Sequence, residues 1–548
     1  MKRARASLEW GIILLALGVR CWFAIGFADS TLFTPVEGGH DRTLYHQAAQ
    51  AVAHGQIWPA GSFAHLPLYP WVLGALYALT GSDLRAAAAL GIGFDTLTVF
   101  LLLRLARRLG AHSGWSALAG LLYALYPPAI VYAALTMPTS LNVLLVTALA
   151  LGLAASALPC SSRSVSGTSA LGLLAGFAVL GYPAVWPALL LTAAHRKSLL
   201  FLAVSLLPVL PVAIHNTRAE GHLTLLSTHG GFNFYMGNFE HATGYPLRVR
   251  NFRLSATAML EDAHRAAETE VGHPLTRAES SSWWSGQARR FMREHPGSAA
   301  RLLARKFRLF WSGTEVDDLR MVEQARVLDG RFAAPLWTCF GLISALGLFG
   351  LLRAGSAPSV RILTWGSILS VSTLFITTRY RLPLVPILAA FGAAGLTTLA
   401  HDIRARIRLR GHALALATAL ALAAWPGGVP DLRATDHHNA SVHLLAAGQI
   451  EAALEQAQKG LALNPGSPEL HHAQGSALFK LDRYADAAAS FKRALDRNPA
   501  YGSARRNLAL ALARAGDPCQ AAAVLTSDPT PDTQSLALQQ ALRELCQP

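Results

Sequence analysis

The sequence predicts an all-α protein: a polytopic transmembrane bundle of about eleven helices, an extracytoplasmic insert and a C-terminal helical repeat array. Three observations point there. Of 548 residues, 52% are hydrophobic and 14% charged, whereas soluble domains carry about 25% charged residues. Apolar runs of roughly 18 to 20 residues recur, each long enough to cross a bilayer. The final stretch repeats with a 34-residue period.

The spans fall near residues 8–28, 84–103, 115–135, 137–158, 168–181, 183–194, 198–215, 333–352, 361–377, 383–400 and 411–426. The first follows Lys2-Arg3-Ala4-Arg5. Gly26-Phe27-Ala28 resembles a signal cleavage site, but the run from Leu8 to Ala28 is long enough to span, so it reads as an uncleaved helix. The fifth and sixth spans are short and broken by Gly181-Tyr182-Pro183. They read as half-helices meeting at the outer surface, where unpaired backbone groups must be buried or wetted. Residues 67–80 are apolar, short and carry two prolines. They read as a helix at the outer interface, with Tyr69, Trp71 and Tyr77 as interfacial aromatics.

The net charge of +15 is concentrated in basic clusters between apolar runs. Arg104, Arg107 and Arg108, Arg196 and Lys197, Arg353 and Arg361, and Arg404 through Arg410 share one side if the N-terminus is cytoplasmic. Positive-inside sorting explains this, and no nucleic-acid partner is implied. The protein is expected in the inner (plasma) membrane. Its outer regions are the first loop (29–83), a long insert (216–332), the Arg379-Tyr380-Arg381 turn and everything after residue 427. Two domains follow: a transmembrane domain, 1–426, and a repeat domain, 427–548.

In the repeat domain Asn464-Pro465 and Asn498-Pro499 stand 34 residues apart. Gly475, Ala487, Phe491 and Ala494 precede the second pair, and Ala453 and Gly460 the first. Small residues where paired helices touch, at this period, are the tetratricopeptide signature. Such arrays offer a concave groove for a protein partner and bury little core alone, so this one is expected to lean on the 216–332 insert or on a partner. Of the five cysteines, none forms a CxxC motif. Cys21, Cys160 and Cys339 sit in or beside apolar spans. Cys519 and Cys546 share the tail and would pair in an oxidising compartment.

Candidate chemistry sits on the outer side. Asp41 follows Gly38-Gly39-His40 and opens a helix-like run with Tyr45, Ala48, Ala49 and Val52 on one face. It suits an N-cap or a general base, and the two roles are compatible. Glu37 is the nearest alternative acid. His40, His46, His54 and His65 match no zinc spacing and read as solvated or headgroup-facing. Arg379-Tyr380-Arg381-Leu382-Pro383 meets the outer surface. Snorkelling would account for the arginines, but paired arginines there oppose the positive-inside trend and their forks suit a lipid phosphate. Gly230-Gly231-Phe232-Asn233-Phe234-Tyr235-Met236-Gly237-Asn238 suggests tight turns, with aromatics that stack on a sugar or pack on the membrane.

Together these residues resemble the GT-C superfamily of polyprenyl-phosphate-sugar glycosyltransferases. Within it they look like the protein-mannosyltransferase and aminoarabinose-transferase group (glycosyltransferase family 39-like), in the bacterial form with tetratricopeptide repeats. The matching pieces are Asp41-x-x-x-Tyr45 followed by Pro67-Leu68-Tyr69-Pro70, Pro211 through Asn216, and Gly230 through Asn238 with Ala242-Thr243-Gly244. His295-Pro296 with Lys306 and Arg379 through Pro383 complete the set. The resemblance covers about residues 5–400. It implies Asp41 acting at the acceptor, Arg379 and Arg381 holding the donor phosphate, and Tyr45, Tyr69, Asn233, Tyr235, Asn238 and Tyr380 in the substrate-binding surface.

The chain departs from the pattern at Gly181-Tyr182-Pro183 and His215, where relatives often carry Arg or Lys. It also has His40 and Arg42 where some relatives have a second acid. The implied partners are a polyprenyl-phosphate sugar, membrane lipid and a protein or glycan acceptor in the cell envelope. No cofactor is implied, because the sugar arrives activated on lipid; a metal requirement stays open. Two other classes fit the same architecture. One is a lipid-linked glycan ligase or polymerase, with its key residues in the 216–332 insert. The other is an inactive scaffold assembling partners on its repeats.

Overall fold

The computed structural model describes residues 2–28, 41–155, 165–196, 199–246, 256–333, 337–355, 357–526 and 533–546. Among these the regular elements are helices, without a strand. Glu37, Gly38, Gly39, His40 and Cys160 lie outside the described residues. The chain divides into two compact units: Met1–Leu319 with Ala334–Val429, and Arg320–Ala333 with Pro430–Pro548.

In the first unit each expected span coincides with a helix or a broken pair. Three helical stretches are long and apolar enough to cross a membrane: Ala6–Gly26, Leu84–Arg108 and Thr378–Ala405. Two bent pairs raise that number to five: Ser113–Ala124 with Pro127–Ala134, bent by 56°, and Leu199–Leu206 with Val209–Glu220, bent by 49°. The other apolar helices, such as Thr139–Ala155 and Phe340–Arg353, have 10–17 residues. Helices thus stand at the positions expected for the eleven spans, but three to five stretches, not eleven, have spanning length. Pro127-Pro128 causes the first bend, because prolines cannot supply the N–H groups that would continue the preceding helix. Gly181-Tyr182-Pro183 likewise ends one helix at Gly181 and starts a 3₁₀ turn at Pro183.

Leu68–Thr80 is a helix, as its composition implies. Tyr69 and Tyr77 are 4% and 2% exposed, however, and pack against the Asp41–Ala53 helix. Tyr77 Oη lies 2.8 Å from His46 Nδ1. Their expected place at a lipid interface is thus corrected: a second amphipathic helix covers them. Trp71 does reach outward, where it meets Trp58 and Phe63. Asn216 pins this loop by accepting from the Phe63 N–H and donating to the Leu226 carbonyl.

The second unit is the repeat array, built from helix pairs including Ile450–Leu463, Pro468–Lys480, Tyr484–Arg497 and Gly502–Arg514. Ala487, Phe491 and Ala494 are buried, as the repeat pattern requires. A Cβ on Gly475 would come within 2.8 Å of the Phe491 ring, so only glycine lets these helices meet. Residues Arg320–Ala333, expected within the outer insert, belong to this unit. Arg320 ion-pairs with the buried Asp436 carboxylate (Nε to Oδ1 2.7 Å), and the Met321–Leu328 helix packs on Arg433–Ala446. Those residues are the part of the insert on which the array leans. Cys519 and Cys546 are disulfide-bonded, with their Cα atoms 5.0 Å apart. Cys21 and Cys339 are free thiols.

Candidate active site

Asp41 is the first residue of the Asp41–Ala53 helix. Its Oδ2 accepts a 2.6 Å hydrogen bond from Arg379 Nη1. The same guanidinium donates through Nε to Asp318 Oδ2 at 2.9 Å, and its Nη2 lies 2.8 Å from that oxygen in an ion pair. One cation thus bridges two carboxylates. The three side chains retain 19%, 17% and 9% exposure for Asp41, Arg379 and Asp318, so the cluster is sheltered yet open to a ligand. Asp318 Oδ1 has no hydrogen-bond partner among the described residues. Of the five N–H donors of its guanidinium, Arg379 gives one from Nε and one from Nη1 to the carboxylates.

The two carboxylates are driven in opposite directions. Burial pushes Asp41 up, but the nearby positive charge of Arg379 and its hydrogen bond, with His65 and His229 adding to them, hold it below its ordinary value. Burial raises Asp318, and Arg379 offsets only part of that. A carboxylate kept ionised beside one biased toward its proton is a common division between base and partner.

Tyr45, one turn beyond Asp41, is buried and meets Tyr69 edge-on with ring centroids 5.8 Å apart. His65 lies 5.3 Å from Tyr45 and 4.9 Å from His229. The reading of His65 as solvated is corrected, since it closes one side of the acidic cluster. Burial, then neighbouring His65, pushes His229 down to about 3, so it is neutral at pH 7. Tyr380 lies beneath the Arg379 guanidinium, 5.3 Å from it, and stacks on Phe375. Tyr182, from the broken Gly181-Tyr182-Pro183 stretch, donates its hydroxyl to the Tyr380 carbonyl at 2.6 Å.

Arg381 does not stand beside Arg379 as an equivalent phosphate ligand. It is fully buried. Its Nη1 reaches the carbonyls of Leu309, Phe310 and Ser312, and Nη2 donates to the Thr314 carbonyl and to Glu315 Oε2. Its guanidinium also covers the Phe340 ring at 4.0 Å. Alternation along Thr378–Arg381 sends one arginine to the carboxylates and the other into the core. Glu315 is the hub of that core, accepting also from Tyr126 Oη (2.7 Å) and Thr378 Oγ1 (2.8 Å).

Gly230–Gly237 is a helix rather than the expected tight turns. Phe232, Met236, Trp284 and Phe375 pack together, and Tyr235 joins them, so these aromatics serve the core. Asn233 is half-buried on this helix. Asn238 is buried, donating to the carbonyls of Phe234 and Thr373 and accepting from Lys306 Nζ at 2.9 Å. Burial brings Lys306 down to about 7. A Cβ on Gly237 would lie 2.1 Å from the Leu374 carbonyl oxygen, so glycine is obligatory there.

The structure therefore joins Asp41, Tyr45, Tyr69, Arg379 and Tyr380, and gives Asn238, Tyr235 and Arg381 to the scaffold. Sequence reasoning missed Asp318, His65 and His229. The visible signal for Asp318 was the acidic run Glu315-Val316-Asp317-Asp318 inside an Arg-rich insert. Among the described residues no group of three or more His, Cys, Asp or Glu is arranged to hold a metal ion.

The tetratricopeptide repeat family matches residues 468–501. No curated protein sequence matches the chain. Among solved structures, the chain is similar to the oligosaccharyltransferase of Archaeoglobus fulgidus complexed with zinc and sulfate, with 13% identity and a TM-score of 0.38 over 80% of this chain and 56% of that one. The chain thus spans little more than half of that enzyme. It is also similar to ArnT from Cupriavidus metallidurans bound to undecaprenyl phosphate, with 13% identity and a TM-score of 0.38 over 94% of this chain and 80% of that one. These are distant likenesses, below the level at which a shared reaction follows.

Proposed function

We propose that this protein is a membrane glycosyltransferase that moves one sugar from a polyprenyl-phosphate donor to an acceptor on the outer membrane face. The observation that carries this reading is the sheltered Asp41 carboxylate, kept ionised by Arg379 across from Asp318. An acceptor hydroxyl or amine needs a base within reach as it attacks, and Asp41 is that base. The donor phosphate gains negative charge as it leaves. The N–H donors of Arg379 beyond those on the carboxylates are suited to meet it, worth most in a sheltered site. Direct displacement with one base inverts the anomeric centre. Tyr380 offers the sugar an aromatic surface beside Arg379, with Tyr45 at its edge and buried Tyr69 backing Tyr45. No nucleotide site is needed, because the sugar arrives on lipid.

In this reading the N-terminus is cytoplasmic, and the insert and repeat array are extracytoplasmic, in the periplasm of a two-membrane envelope. The array's groove holds a protein partner or presents the acceptor. A ligase or polymerase of lipid-linked glycans would draw its key groups from the 216–332 insert, and Asp318 does come from there. The test is sugar transfer from polyprenyl-phosphate donors by purified wild type, Asp41→Asn and Asp318→Asn. A glycosyltransferase of the proposed kind loses most turnover with Asp41→Asn. Retained turnover in that variant, with loss in Asp318→Asn, favours the ligase. No transfer by wild type with any such donor leaves the scaffold reading.

A further inference from the structure

A buried ion pair lies within the helical bundle, on residues other than those that would touch substrate. Arg20 and Asp95 are 0% and 1% exposed, on the Lys2–Gly26 and Leu84–Arg108 helices, with Nε and Oδ2 2.5 Å apart. Tyr123 donates its hydroxyl to Asp95 Oδ1 at 2.5 Å. Ionised groups among apolar spans are costly and persist where they are paired and have work to do.

The bend shows what the pair does. Arg20 Nη1 donates to the Ala124 carbonyl at 3.0 Å. Ala124 is the last residue of Ser113–Ala124, before the 56° break into Pro127–Ala134. In a continuous helix that carbonyl would accept from the N–H four residues on, which is Pro128 and has none. Among apolar helices an orphan carbonyl is expensive, so a side chain must replace the missing donor. Arg20 is that donor, and Asp95 with Tyr123 fixes its position. The neighbouring Tyr123 carbonyl is taken by the Tyr126 N–H at 3.2 Å.

The half beyond the bend reaches the acidic segment of the site. Tyr126 donates to Glu315 Oε1 at 2.7 Å, and Tyr132 to Asp317 Oδ1 at 3.1 Å. Both tyrosines are fully buried. The next residue, Asp318, holds Arg379, and Arg379 holds Asp41.

We propose that Arg20 and Asp95 are positioning residues for the Asp41–Arg379–Asp318 cluster, acting through the Ala124 bend and the hydroxyls of Tyr126 and Tyr132. This rests on reading that cluster as the reaction centre. Displacing reacting groups by about 1 Å costs up to about 10²-fold in rate.

The full-length protein in detergent carries the test. Three variants are compared with wild type: Arg20→Gln, Asp95→Asn and the double Tyr126→Phe/Tyr132→Phe. The tyrosine double keeps both rings and the bundle intact, so it reports even if the charge variants fold poorly. Expected are a kcat lowered about 10- to 100-fold with donor KM nearly unchanged, and faster deuterium uptake in the 312–318 backbone than in wild type. Combination with Asp318→Asn should add little further loss. Wild-type kcat per folded molecule in the tyrosine double, with only the melting temperature lowered, overturns the proposal. So does unchanged uptake at 312–318 in all three variants. Full activity of Asp41→Asn is a separate result, which sinks the reaction-centre reading and leaves the exchange measurement to judge the positioning device.

Discussion

Arg379 Nη1 meets Asp41 Oδ2 at 2.6 Å, joining residues 338 positions apart. That bond brings the start of the Asp41–Ala53 helix and the Thr378–Arg381 turn of helix into one site. It also changes what each residue is expected to do, because the arginine that suits a lipid phosphate is already holding the Asp41 carboxylate.

Asp41→Asn should lower turnover by about 10²- to 10⁴-fold, the usual effect of removing a general base. Expression and donor binding should stay near wild type, since Asn caps a helix about as well as Asp. Transfer assays with equilibrium donor binding check this. A variant keeping more than about half the wild-type rate would reduce Asp41 to a cap.

The pH profile should follow Arg379. The Asp41 carboxyl is held below its ordinary 3.8 because Arg379, with its neighbours, outweighs burial. The base form, and its contribution to stability, therefore persist at neutral pH and are lost as pH falls through the lowered value. In Arg379→Gln burial acts without that charge, so the acid limb of kcat/KM should move to higher pH. An unmoved limb would mean that Arg379 does not set the base.

Arg379 and Arg381 should separate cleanly. Arg379→Lys loses the planar fork and should weaken donor use, with Arg379→Ala worse. Arg381→Ala should leave donor affinity per folded molecule alone and cost about 3–5 kcal/mol, because it removes a fully buried cation from half-buried Glu315 and from the carbonyls of Ser312 and Thr314. Melting in detergent beside donor titration distinguishes them. Equal effects on donor affinity would restore the paired-phosphate arrangement.

The tail reports its compartment. Cys519 and Cys546 should resist alkylation in native membranes until a reductant is added, as expected of a disulfide kept in an oxidising space. A C-terminal reporter should be active only outside. Immediate alkylation of both thiols, or a reporter active only in the cytoplasm, would remove the repeats from Asp41's side of the membrane.

Deleting residues from 430 onward should spare transfer to a small soluble acceptor analogue and impair the natural acceptor reaction. That deletion also strips the Met321–Leu328 helix of the helix it packs on. A cleaner variant therefore removes Arg320–Ala333 as well, with a short linker. Full activity of this variant on the natural acceptor would end the recruitment idea.

The sequence by itself determined what depends on neighbours along the chain. Apolar run length gave the helix positions, Gly181-Tyr182-Pro183 gave one break, and the 34-residue period gave the array, while the bends at Pro127-Pro128 and between Leu206 and Val209, inside runs read as continuous, came from the structure. The first three are local properties, set by backbone hydrogen bonding and side-chain periodicity. Asp41, Tyr45 and Arg379 were legible as separate points, each expected on the outer side. Their union was not, because an ion pair over 338 positions leaves no mark on either local pattern. Tertiary structure alone decided that Asp318 faces Arg379, that Arg381 two residues on turns into backbone carbonyls, and that His65 closes the site. It also assigned residues 320–333 to the repeat array, through an arginine whose partner is Asp436. For the three arginines the deciding quantity is the cost of burying a charge. A chain pays it only where folding brings a counter-charge within reach, and the partner's identity is a fact of three dimensions.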